Sequence, residues 1–328
     1  MKKLNIGILG ISNHFIKRII LPLSNSRNCI PYAIASREPA KARETASEFH
    51  ISVAHKNYQS LLDDANIDAV YIPLPNHLHA EWVVKALHAG KPVLCEKPLA
   101  MDLQQTEMLT EVSEKTGVPL MEAFMYRFHP SWIHTRNMIR TNQLGKINYI
   151  HTAFSYNNPS PVNIRNIAAY GGGALMDIGC YAISAPRFLL GQEPVRVVSH
   201  TTLHPEFGTD MHTSGLLDFG ETRASFHVST LSEPFQKVDI IGTAGSVTIP
   251  VPFNTYVDTP SSIVVNSGMS MREIVFPVCD PYQLMFEAFA DALLSGTPVP
   301  LPLSDAVNNM RVIDAVRESI QTNAFISL

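Results

Sequence analysis

Cysteine is scarce in this chain, and its few copies stand far apart. Cys29, Cys95, Cys180 and Cys279 are the only 4 cysteines, and none of them forms the close pairs that zinc ribbons or thioredoxin-like sites require. Scattered thiols of this kind point to reduced, mostly buried side chains of a cytoplasmic protein and argue against a disulfide-stapled secreted scaffold. Long apolar runs are missing as well. No window of about 18 uninterrupted apolar residues occurs, so nothing reads as a membrane span. Met1-Lys2-Lys3 stand before an apolar stretch, but Leu4–Leu9 is too short for a signal-peptide core and is ended by Gly10 and the polar Ser12-Asn13-His14. No targeting segment is expected. Charge is sparse and nearly balanced, with 25 Lys+Arg against 29 Asp+Glu and no basic block. That balance lacks the electrostatic footprint of a nucleic-acid binder. What remains is an ordinary globular composition, 45% hydrophobic, in 328 residues, a length that admits two domains.

The first third alternates between strand and helix patterns. NIGILG (Asn5–Gly10) is a β-rich run that stops at a glycine, a helical stretch follows over about 13–24, and PYAIAS (Pro31–Ser36) reads as a second strand. REPAKARETASEF carries helix formers with apolar spacing at Ala42, Ala46 and Phe49. DAVYIPLP (Asp68–Pro75) is a further buried strand, and Leu78–Ala89 puts Trp82, Val83, Ala86 and Leu87 on one helical face before Gly90. Val93-Leu94-Cys95 is a short strand. Asp102, with Gln105 three residues on, predicts an N-capped helix that ends near Gly117, and VPLMEAF (Val118–Phe124) is the next strand. Alternation of this kind implies parallel βαβ units and a doubly wound sheet of the Rossmann type.

From about Gly145 the rhythm changes. INYIHTAF, VRVVSHTTL, SGLLDFG-ETRASFHVST and KVDIIGTAGSVTI are β-rich, with hairpin turns expected at Gly220-Glu221 and Ala244-Gly245. Helices near 282–295 and 303–322 close the chain. The expectation is therefore a dinucleotide-binding domain over 1–123 and an α+β domain over 124–328 built on a large, mostly antiparallel open sheet.

The first strand–helix turn, GILGISNHF, keeps one glycine of a G-x-G-x-x-G phosphate fingerprint: Gly10 fits, and Ser12 and Phe15 stand where the others would be. Backbone N–H groups and the helix dipole still favour a phosphate here, so Gly10, Ser12 and Asn13 are candidate cofactor ligands. NAD enzymes usually carry a carboxylate at the end of the second strand. This chain has Ser36-Arg37, and a hydroxyl beside a permanently charged planar guanidinium suits a 2′-phosphate. NADP(H) is therefore expected in preference to NAD(H). Lys97 ends the strand Val93-Leu94-Cys95, where α/β sheets open onto their ligands. It reads either as a solvated loop lysine or as a catalytic one. His77 and His79, two residues apart, cannot face the same way at a helix start, so no metal site is expected.

Taken in order, GILG, AIASREPAKA, DAVYIPLPNHLHAEWVVKAL, GKPVLCEKPLA, MEAFMYRFHP and GGGALMDIGCY resemble the glucose–fructose oxidoreductase/inositol dehydrogenase (Gfo/Idh/MocA) family over residues 5–181. The resemblance implies that Glu96-Lys97-Pro98 brings Lys97 beside the nicotinamide and that Asp177, from MDIG, binds and orients the substrate. Many relatives carry histidine four positions later, whereas this chain has Tyr181, as in the glucose–fructose oxidoreductase branch and sugar ketoreductases. By the same resemblance Pro73, Asn76, His79, Glu96 and Arg165 fall on the cofactor side, and Lys97, Asp177 and Tyr181 are the catalytic set. Tyr126 and Arg127 either line the substrate pocket or pack at the domain junction.

The chemistry needs one side chain within reach of the reacting oxygen to move a proton. A neighbouring cation favours tyrosinate, so Tyr181 is expected to donate the proton in reduction while Lys97 polarises the oxygen. The expected activity is an NADP(H)-dependent oxidoreductase acting on a secondary alcohol or ketone of a sugar, free or nucleotide-activated. The weighed alternatives are a trans-dihydrodiol dehydrogenase and a non-catalytic NADP-sensing protein on the same fold. Relatives of this kind pair through the open sheet, so a homodimer or homotetramer is expected.

Overall fold

The computed structural model describes residues 3–328, so Met1 and Lys2, the start weighed above as a leader, lie outside the described residues. Compact packing divides the chain into two units, one of residues up to Met125 with Tyr282–Val307, the other of Tyr126–Pro281 with Asn308–Leu328. The sequence-based division falls at 123/124 and leaves 282–307 with the second domain, whereas the compact units divide at 125/126 and 282–307 pack with the first.

In the first unit a six-stranded parallel sheet holds β1 (Leu4–Leu9), β2 (Cys29–Ala35), β3 (Val53–His55), β4 (Ala69–Ile72), β5 (Val93–Cys95) and β6 (Leu120–Glu122). The spatial order is β3-β2-β1-β4-β5-β6, with α1 (Ile20–Ser24), α2 (Pro39–Glu48), α3 (Tyr58–Leu62), α4 (His79–His88) and α5 (Leu103–Thr116) as the main connecting helices. This is the doubly wound dinucleotide-binding order, and it places the topological switch between β1 and β4. Ala69–Ile72 and Val93–Cys95 are buried at every position, as strands covered on both faces must be. Gly7 is glycine because a Cβ there would come within 2.8 Å of Leu61 Cδ2. The helical stretch after β1 begins as a π turn, Phe15–Ile19, before it becomes α1.

In the second unit α6 (Pro130–Arg140) precedes the first strand of a nine-stranded sheet, and α7 (Cys180–Leu190) lies against that sheet at β7 and β10. The strands are β7 (Ile147–Asn157), β8 (Arg196–Leu203), β9 (Asp210–Asp218), β10 (Arg223–Ser229), β11 (Leu231–Gly242), β12 (Ser246–Ile249), β13 (Ser261–Ser267), β14 (Ser270–Phe276) and β15 (Ile326–Ser327), ordered β14-β13-β12-β11-β7-β10-β9-β8-β15. Within this sheet the central β7/β10 pair is parallel, and the other neighbours among the described residues are antiparallel. Alternation sorts the residues cleanly. Ile150, Phe154, Ala224, Phe226, Val228, Val238 and Ile240 are buried on one face, whereas His151, Ser225, His227, Lys237 and Asp239 look outward on the other. Phe219 N–H donates to Thr222 O at 2.9 Å, so Gly220-Glu221 is the expected turn, with Gly220 at φ +82°. The next hairpin is one residue earlier than expected: Gly242 N–H donates to Gly245 O, which makes Thr243-Ala244 the loop.

The chain then forms α8 (Pro281–Ser295) and α9 (Leu303–Thr322). Helix α8 belongs to the first unit because its side chains find partners there. Phe286 packs edge-on against Tyr71 at 5.2 Å, and Glu287 accepts the Arg27 N–H at 3.0 Å. Asn28 Nδ2 donates to Asp291 at 2.7 Å, and Arg27 pairs with the same carboxylate. These contacts join residues more than 200 positions apart, beyond the reach of any local pattern.

Candidate active site

The phosphate turn is built around Gly10. Its φ of +117° and the 2.7 Å at which a Cβ would meet Leu74 Cδ2 exclude other residues there. Ser12 Oγ accepts the Phe15 N–H at 3.0 Å and so caps the helical segment that follows. Phe15, where the fingerprint would have its third glycine, is fully buried. Asn13 is exposed at the turn. At the end of β2, Ser36 is buried and its Oγ accepts the Glu38 N–H at 3.1 Å, while Arg37 stands exposed. Sequence reasoning missed Lys41. From the first turn of α2 its Nζ reaches the Ile11 carbonyl at 3.3 Å, tying a second cation to the phosphate turn. These residues fit a dinucleotide with an extra phosphate: a tight turn with outward amides, a hydroxyl, and basic groups instead of a carboxylate.

Beside this turn, Lys97 follows β5 on a loop held by surrounding groups. Glu96 N–H donates to Ile72 O at 3.1 Å, and the Glu96 carboxylate accepts the Tyr71 hydroxyl at 2.6 Å. Leu99 N–H donates to the buried Glu122 carboxylate at 2.8 Å, and the Lys97–Pro98 peptide is cis. Burial, and then the Glu96 charge, push the Tyr71 hydroxyl well above its usual range, so it stays a donor. Glu96 therefore supports the loop through its main-chain N–H and one carboxylate oxygen. His79 braces the same loop. Its ring is completely buried, with Nδ1 2.9 Å from Pro98 O and Nε2 2.8 Å from Leu74 O. Burial holds its pKa below the ordinary value. With both nitrogens facing main-chain carbonyls, the ring is a strut between the end of β4 and the Lys97 loop. Pro73 is buried directly after β4, and Asn76 opens the short 3-10 turn Asn76–Leu78. Lys97 itself is half-buried.

In the second unit the carboxylate and the tyrosine share one helical segment but not one type of turn. Asp177 lies in a π turn, Leu175–Gly179, and Tyr181 in the first turn of α7. Such insertions are frequent at functional sites. Arg165 Nε meets Asp177 Oδ2 at 2.8 Å, and the Tyr156 hydroxyl donates to the same oxygen at 2.6 Å. Arg165 thus sits on the Asp177 carboxylate, a partner the sequence did not reveal. The glycine run makes this possible. Gly173 N–H donates to Arg165 O at 2.8 Å, and a Cβ on Gly172 would fall 2.4 Å from that oxygen. Gly173, at φ +113°, would place a Cβ 1.9 Å from Asp210 Oδ1. Asp210 in turn accepts the Leu175 N–H at 2.7 Å at the start of the segment. Burial raises the Asp210 carboxyl above its usual range.

Tyr181 is 5% exposed, its ring set 5.2 Å from Phe253 and 5.9 Å from both Phe154 and Tyr126. Tyr126 is fully buried and bonds Ser184 Oγ at 2.7 Å. Arg127 donates to the same oxygen at 2.6 Å and lies over the Phe188 ring. Tyr126 thus packs beside Tyr181, and Arg127 meets it at Ser184. Among the described residues, no group of three His, Cys, Asp or Glu side chains is placed to hold a metal ion, and no helix is long and apolar enough to cross a membrane.

Comparison with known proteins matches residues 4–124 to the model described as "Oxidoreductase family, NAD-binding Rossmann fold" and residues 132–248 to the GFO/IDH/MocA C-terminal domain. The chain is 36% identical to D-xylose 1-dehydrogenase (NADP(+)) 2 of Haloferax volcanii over 98% of its own length and 99% of that protein. It is 34% identical to trans-1,2-dihydrobenzene-1,2-diol dehydrogenase of Xenopus laevis over 71% of this chain and 70% of the other. Among solved structures it resembles a 3-ketoreductase from Actinomadura kijaniata, in complex with NADP and TDP-benzene, with TM-score 0.90 and 29% identity over 97% and 98% of the two chains.

Proposed function

Because the chain belongs to the GFO/IDH/MocA oxidoreductase family, we propose that it moves a hydride between NADP(H) and a secondary alcohol or ketone carbon of a sugar, free or nucleotide-activated. The observation that carries this reading is the frame around Lys97. Strand β4, Tyr71 through Glu96, Glu122 and the His79 ring all fix a loop whose main product is the position of one ammonium group. A catalytic group needs supporting contacts of this kind, and a solvated lysine does not.

A secondary alcohol that gives up a hydride must also shed its hydroxyl proton, and reduction must return one. The nicotinamide, when bound, takes up or supplies the hydride. Lys97, a compact cation on a flexible stem, polarises the substrate oxygen. Tyr181 receives or donates the proton, its ring oriented by Phe154, Phe253 and Tyr126. Asp177 accepts a hydrogen bond from a substrate hydroxyl and so orients the ring. Gly10, Ser12 and Asn13 hold the pyrophosphate, and Ser36, Arg37 and Lys41 take the 2′-phosphate. The NADP(+) in the name of the xylose dehydrogenase and the NADP in the ketoreductase structure support that preference over NAD(H). The four free thiols support a reducing, cytoplasmic setting. The outward face of the nine-stranded sheet supports self-association as a homodimer or homotetramer.

Replacing Lys97 by Met and Tyr181 by Phe tests the assignment. Each should lower kcat by about 100- to 10,000-fold, and wild-type turnover in both variants would remove these residues from the chemistry.

A further inference from the structure

Tyr156 lies outside every motif that pointed to the site, yet it makes one of the shortest contacts there. It is the penultimate residue of β7, on the pleat shared with Ile150 and Phe154. Its hydroxyl donates to Asp177 Oδ2 at 2.6 Å, and Arg165 Nε reaches that same oxygen at 2.8 Å from the separate 3-10 turn Ile164–Asn166. Two donors on one carboxylate oxygen, anchored in different elements, fix the rotation of the Asp177 carboxylate. Charge-assisted bonds of this length are the strong ones. Burial and the Asp177 charge push the Tyr156 hydroxyl above its usual range, so it remains a donor at every working pH.

We propose that Tyr156 is a positioning residue: acting through Asp177, it holds the carboxylate in the orientation that receives the sugar hydroxyl. This rests on the reading of Asp177 as the substrate-orienting group. Arg165 supplies charge from a loop held by the glycine run and by the Asn163 and Asn166 side chains. Tyr156 supplies a second fixed point, on the sheet, so the carboxylate keeps its register with Tyr181. The class of substrate follows from the same geometry. An oriented, ionised carboxylate accepts hydrogen bonds, so the sugar must present a free hydroxyl to it.

A double-mutant cycle tests this on the full-length protein, with Tyr156→Phe, Asp177→Asn and the two combined, measuring kcat/KM for the sugar turned over, the NADPH dissociation constant and the melting temperature. Tyr156→Phe should lower kcat/KM by about 10- to 100-fold with NADPH binding and melting temperature close to wild type. In the Asp177→Asn background the same change should cost nothing further, because a residue acting through another has no effect once that other is gone. Wild-type kcat/KM in Tyr156→Phe beside an impaired Asp177→Asn overturns this proposal alone. Equal, additive losses in both backgrounds overturn it as well. Wild-type kcat/KM in Asp177→Asn overturns it together with the reading of Asp177.

Discussion

At the scale of single residues, histidines show most clearly how far chemistry depends on placement. His129 caps α6, its ring accepting the Ser131 N–H at 3.1 Å, and it is almost completely buried. Burial pushes its pKa down to about 4. The folded state therefore resists protonation that the unfolded chain accepts near pH 6.5 (roughly). The contribution of this ring to stability is full at neutral pH, falls as pH drops through about 6.5, and levels off near 4, a loss of up to about 3 kcal/mol. His129→Asn keeps an acceptor at the cap without the titration. Urea midpoints of the two proteins between pH 7 and pH 4 should converge as the pH falls, and a constant gap would show that His129 does not titrate this way. The sequence showed His79 and His129 as polar residues in recognisable segments. Whether a ring faces a ligand or a carbonyl depends on where Pro98 and Leu74 come to rest, which no local pattern encodes. Gly10 was legible because a tight turn at positive φ constrains residue type directly, whereas the roles expected of Lys97 and Asp177 came from the family resemblance.

Elements were legible where their periodicity was local. Asp102 accepts the Gln105 N–H at 2.8 Å and Gly117 ends α5 at φ +67°, both as the cap signals implied. The hairpin after β11 slipped by one residue because Gly242 and Gly245 flank the loop instead of forming it. The π turns at Phe15–Ile19 and Leu175–Gly179 carry no signal of their own, since their sequences read as ordinary helix. The nine-stranded sheet carries a consequence that its alternation predicts. Its outward face keeps large apolar groups in water, among them Phe235 at 55% and Ile241 at 46% exposure. Exposed apolar patches of this kind mark interaction surfaces, and self-association through this face should bury both. Light scattering should give a multiple of the chain mass for the wild type and a lower mass for Phe235→Lys with Ile241→Lys. A wild-type protein that scatters as a monomer would remove the sheet from any such role.

For the whole molecule, the cofactor half was the more legible one, since a parallel sheet with ligands at its strand ends repeats the same local grammar from β1 to β6. The return of α8 to that half was not, because Phe286, Glu287 and Asp291 meet partners far upstream. The second unit shows its fold in strand alternation, but Tyr156 and Arg165 meet at Asp177 only after folding. The central claim, an NADP(H)-linked sugar oxidoreductase using Lys97, is tested most directly by following nicotinamide absorbance with purified protein against a panel of aldoses, keto sugars and nucleotide-linked keto sugars. The account predicts turnover of at least one of them, with a higher kcat/KM for NADP(H) than for NAD(H), and its collapse in Lys97→Met. Turnover that prefers NAD(H), or that survives in Lys97→Met, would contradict it.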